Sequence, residues 1–138
     1  MTVQLAMVGV VVADMRATLA FYRALGLDIP VDADGERFVM HRMESGVTIF
    51  FDTVFFATND PERTASPRGN YNISLEFYFG ERDLVDAKYR ELVGLGYRGR
   101  REPWKSTGPY AAIIEDPDGN PILLTAEDPS ALPTPPVA

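Results

Sequence analysis

The sequence predicts an α+β fold made of two βαβββ modules, whose mixed sheets either curve together into a cup or pack as a sandwich with a filled core. Three observations predict it. A β-rich opening run is followed by an amphipathic helix and short strands, and the same order returns after a polar interval. The two helices also resemble each other in sequence, FYRALGL in the first and KYRELVGLG in the second, each closing on glycine before a strand. The modules occupy about residues 3–56 and 71–125 of a single domain, 1–125. Residues 57–70 link them, and a Pro-rich tail covers 126–138.

Each element has its own signal. Residues 3–12 (VQLAMVGVVV) form a buried-type strand. Asp14 is placed to cap a helix in which Met15, Leu19, Tyr22 and Leu25 make an apolar stripe that Gly26 ends. Residues 29–31 give a weak strand; 37–43 and 47–54 give stronger ones, set apart by the turn pairs Asp34-Gly35 and Ser45-Gly46. In the second module residues 71–79 (YNISLEFYF) form a strand. Residues 81–95 form a helix with Leu84, Ala87, Tyr89 and Leu92 apolar. Strands follow at 97–104, 110–114 and 121–125, the last two joined by the turn EDPDGN.

Composition narrows the function. The chain has 138 residues, enough to bury a core without staples, and no cysteine, which excludes disulfides and thiolate chemistry. A net charge of −7 argues against nucleic acid, whose phosphates need a basic face, and permits a cationic ligand. The apolar run at 5–13 follows no basic region and meets Asp14 and Arg16 at once. It is too short for a membrane span and has no cleavage-site character, so the expected location is the cytoplasm, with no membrane partner.

The stretches VGVVVADMRATLAFYRALGL and GPYAAIIEDPDGNPILL resemble the opening strand and helix and the closing hairpin of the vicinal-oxygen-chelate superfamily. That superfamily holds glyoxalases, extradiol dioxygenases and bleomycin-resistance proteins. The resemblance implies a cup with one His, Gln or Glu metal ligand from each of four strands, and commonly a homodimer. The matching positions here are Met7, Phe50 (or Phe51), Asn72 and Leu123. None is a usual ligand, so no metal and no cofactor is expected. The lone histidine, His41, reads as a surface or mouth residue, and no HxH, HxxxH or HExxH spacing occurs.

Strand alternation, phased on those four positions, then gives the expected lining of the cup. It comprises Phe50 and Asp52 from the first module, with Asn72, Ser74 and Glu76 opening the second. Trp104 and Tyr110 come from its later strands, beside Ala112 and Leu123. Tyr71, Ile73, Leu75, Phe77 and Phe79 are expected under the helices. An aromatic cup with a few polar groups suits a flat or cationic organic molecule, stacked on Phe50, Trp104 or Tyr110. The leading expectation is a metal-free binder acting by sequestration, as in antibiotic resistance. One alternative is a lyase, isomerase or dioxygenase with a non-standard metal site, or with Glu76 as general base if an apolar surround raises its pKa. A further alternative is a dimeric scaffold whose cups are filled by side chains.

Overall fold

The computed structural model describes residues 2–64 and 70–127. The expected tail beyond Glu127 and the middle of the linker, 65–69, lie outside the described residues.

Helix α1, Met15–Leu25, starts where Asp14 accepts the Ala17 N–H at 3.1 Å and stops at Gly26, whose φ of 132° suits glycine. Its stripe Met15, Leu19, Tyr22 and Leu25 is buried as expected, widened by Thr18 and Phe21. Helix α3, Arg82–Gly94, buries Val85, Tyr89 and Leu92 at i, i+4, i+7 spacing. The expected stripe was misplaced in its first turns. Leu84 is 49% exposed and shares its row with Lys88 and Glu91, and Ala87 is exposed as well.

Among the described residues seven strands make two sheets. In the first, β1 (Met7–Val11) runs parallel to central β3 (Thr48–Asp52), and β2 (Phe38–Arg42) pairs with β3 antiparallel. In the second the order is β4 (Leu75–Gly80), β7 (Pro121–Ala126), β6 (Tyr110–Glu115) and β5 (Gly99–Lys105). A short helix, α2 (Phe55–Asn59), follows β3. The α+β class and the two-module order hold, but the first module has one strand fewer than the repeat predicts.

The missing strand is at 29–31. Pro30 has no N–H for a ladder, and Arg23 takes both nearby carbonyls. Its Nε donates to Ile29 O and its Nη2 to Pro30 O, each at 2.6 Å, and Nη2 also meets Asp34 at 2.8 Å. A 3₁₀ turn, Val31–Gly35, replaces the strand. Two other strands are shorter than expected because their partners end. β3 offers β1 five positions, so residues 2–6 lie outside the ladder. β7 meets β4 from Leu75 onward, which leaves 71–74 beyond it.

One apolar core serves both modules. Phe51 from β3 and Leu92 from α3 lie in the same buried cluster as Leu19, Phe21 and Tyr22 of α1 and Ile114, Ile122 and Leu124 of the second sheet. Burying each such large side chain stabilises the fold by roughly 1.5–3 kcal/mol. The helices cover one face of each sheet. On the first sheet Val10, Val39, Ile49 and Phe51 meet them, so Met7, Gly9, Val11, Phe38, Met40, Thr48 and Phe50 lie on the opposite face.

The closing turn docks on α1. Asp116 accepts the Tyr22 hydroxyl at 2.8 Å, the Asp118 and Asn120 N–H groups, and the Asn120 amide. Asp118 accepts the Ala13 N–H at 3.2 Å and the Thr18 hydroxyl at 3.4 Å. Lys88 of α3 reaches the Ala24 carbonyl at 2.8 Å. The two modules of one chain are thereby fastened to each other.

Candidate functional site

The residues expected to line one cup are divided by the fold. Phe50 lies on the uncovered face of the first sheet, stacked on Phe38 with centroids 5.2 Å apart. Its ring occupies the space above Gly9, where an added Cβ would fall 2.0 Å from the ring. With Met40 at 56% exposure, Phe38 at 45% and Met7 at 41%, this face is a broad apolar surface.

Asp52 does not face the expected cup; its carboxylate is engaged by backbone. It is fully buried and accepts the N–H groups of Val54, Phe55 and Phe56 at 3.1, 2.9 and 3.3 Å, where it starts the turn into α2. Tyr110 is also corrected. It packs toward α3, donating its hydroxyl to Asp86 at 2.6 Å beneath the Arg82 guanidinium. Ala112 is buried in the core on the same side. The phase of β6 is therefore one residue from the expected one, and Ala111, Ile113 and Glu115 take the other face.

Trp104 is half-buried on β5, at the far edge of the second sheet from β4, with the Arg101 guanidinium 4.0 Å from its ring centroid. Asn72 and Ser74 are exposed and precede β4, outside its ladder, as do Tyr71 and Ile73, at 53% and 79% exposure. Only Leu75, Phe77 and Phe79 of that expected apolar set pack against the core. Glu76 is exposed, and its Oε2 accepts the Thr125 hydroxyl at 3.0 Å. It lacks the apolar enclosure that a general base would need here.

A cavity of about 820 Å³ lies on the helix side, between the first sheet and the free edge of β4. Its wall on the first sheet is the cross-strand row Val8, Ile49 and His41. Leu25 at the end of α1, the residues 26–28 that follow it and the β2–β3 hairpin close one side, and residues 74–79 form the other. Ser74 and Glu76 are the two expected binding residues that line it. Asp28, His41 and Glu44 were not foreseen as binding groups. His41 is half-buried there, which fits a mouth position. A smaller cavity of about 370 Å³ shares Val8 and Leu75 with it, so these two residues mark where the free edges of β1 and β4 approach each other.

The acidic residues Asp28, Glu44 and Glu76 and the basic Arg42 belong to the lining of the large cavity. The floor is apolar and aromatic, from Leu25, Leu27, Ile49, Phe77 and Phe79. Such a volume and lining match those of small-molecule sites.

The sequence matches the family model described as Glyoxalase/Bleomycin resistance protein/Dioxygenase superfamily over residues 4–124, and the chain belongs to that superfamily. Among solved structures it is similar to a hypothetical protein from S. aureus, with a TM-score of 0.76 and 20% identity, covering 91% of this chain and 95% of that one. A glyoxalase-related enzyme from Fulvimarina pelagi has a TM-score of 0.71 and 17% identity, covering 90% and 88%. A family enzyme from Burkholderia phytofirmans has 0.70 and 18%, covering 88% and 96%. These likenesses show the fold. No curated protein matches the chain.

The residues at the superfamily's metal positions do not fit a divalent ion. Met7 offers a thioether and Asn72 an amide oxygen, whereas Phe50 and Leu123 offer no donor. Among the described residues no group of three or more His, Cys, Asp or Glu side chains is placed to hold a metal. Among them also, no helix is long and apolar enough to cross a membrane.

Proposed function

We propose that this protein is a metal-independent small-molecule binder of its superfamily. It would sequester an aromatic or cationic organic ligand, as a resistance protein does, in the cytoplasm. The observation that carries this reading is the pairing of a donor-poor set (Met7, Phe50, Asn72, Leu123) with a drug-sized cleft of about 820 Å³ elsewhere in the fold. The cleft replaces the aromatic cup as the proposed site, because it gathers groups from three distant segments around one hollow. A homodimer is part of the proposal. The apolar face around Phe38, Met40 and Phe50 is of the kind that a second copy covers in a symmetric pair.

A screen of aromatic acids, aromatic amines and antibiotics, read on the NMR signals of His41 and of Trp104, tests the reading. Each is the sole residue of its type. Saturable shifts at His41 support the cleft. Saturable changes at Trp104 alone place the ligand on the opposite sheet face and overturn it.

A further inference from the structure

We propose that the cleft selects an organic cation, a protonated or quaternary amine carried on a hydrophobic body. This inference rests on the small-molecule reading above and gives it a charge. The cleft joins two surfaces that a cationic amphiphile needs together. Its floor of Leu25, Leu27, Ile49, Leu75, Phe77 and Phe79 takes an apolar body. Its lining includes the carboxylates Asp28 and Glu44, and also Glu76, whose Oε2 accepts the Thr125 hydroxyl; Arg42 and His41 are the basic residues of that lining.

The eleven-residue helix α1 ends at this wall, but its last-turn carbonyls are engaged and do not add to the sign. Tyr22 O and Arg23 O accept backbone N–H groups, and Ala24 O accepts the Lys88 ammonium at 2.8 Å. Neither Arg23 nor Lys88 lines the cleft. Phe77 and Phe79 of the floor are aromatic, and cations are attracted to ring faces. The complementarity therefore has both an apolar and an electrostatic part, and the electrostatic part is open to salt.

Three probes of one shape separate these parts: phenylbutylammonium, phenylbutanol and phenylbutyrate. Each is titrated into the full chain while the ring-proton signals of His41 are followed. The expected order is ammonium tightest, alcohol weaker by about tenfold, and carboxylate weakest, as several partly exposed charge pairs would give. Added salt should narrow the gap between ammonium and alcohol. Asp28→Asn and Glu44→Gln should weaken the ammonium toward the alcohol and leave the alcohol unchanged, which also controls for folding. Equal binding of ammonium and alcohol, or tighter binding of the carboxylate, overturns the cation assignment while small-molecule binding stands. Absence of any shift at millimolar probe overturns both.

Discussion

The Tyr22 hydroxyl donates to Oδ2 of Asp116 across 2.8 Å in the buried interior, tying the first helix to the closing turn of the second module. Both groups lie in the two stretches that carry the family resemblance, and the bond gives those stretches a physical reason. Asp116 organises its own turn through Asp118 and Asn120, and the same carboxylate then receives α1. Tyr22→Phe leaves the turn intact and removes one buried bond to a charged acceptor. It should cost about 1–3 kcal/mol, measured by urea unfolding. Asp116→Ala should cost more, because it also releases the turn. Equal stability of wild type and Tyr22→Phe would show that the bond fastens nothing.

Burial, and then the Asp116 charge, hold the Tyr22 phenol well above its ordinary value of 10.0. A raised folded-state value means that the unfolded chain releases this proton first as pH rises. Stability from Tyr22 is therefore complete below about pH 10 and is lost progressively above it. Tyr89, raised by burial, and Tyr110, raised by its bond to Asp86, act in the same direction. Alkaline unfolding curves should show this decline, and Tyr22→Phe should flatten it by up to about one proton. An unchanged alkaline slope in that variant would contradict the assignment.

Gly9 leaves the space in which the tip of the Phe50 ring sits against β1. In Gly9→Ala the new methyl must displace that ring and part it from Phe38, at a cost of about 1–3 kcal/mol. Phe50→Ala in the same chain should remove the clash, so the double variant should be less destabilised than the sum of the singles. Simple additivity in a double-mutant cycle would mean that ring and glycine do not meet.

The sequence was readable where one residue type has one physical use. Asp14 and Gly26 bounded α1, and the DPDGN turn and the alternation of Glu76 and Tyr78 with Phe77 and Phe79 were clear. It was unreadable where both faces of a strand are apolar. In β6, Ala111, Ala112, Ile113 and Ile114 carry no polar alternate to set the phase, so Tyr110 was assigned to the wrong side. Asp52 shows a different limit. Its value lies in three backbone donors supplied by the next turn, which strand alternation does not weigh. The cleft was hidden for a third reason. Its lining comes from residues 25–28, 41–49 and 74–79, and only the packing of the modules brings them together.

Metal independence of binding is the central claim, and one measurement addresses it directly. Phenylbutylammonium is titrated against the protein with His41 as reporter, once in excess chelator and once with added zinc or nickel. The account predicts the same saturation curve in both, because Met7, Phe50, Asn72 and Leu123 supply no metal site through which binding could pass. Binding that disappears in chelator and returns with a divalent ion would contradict it.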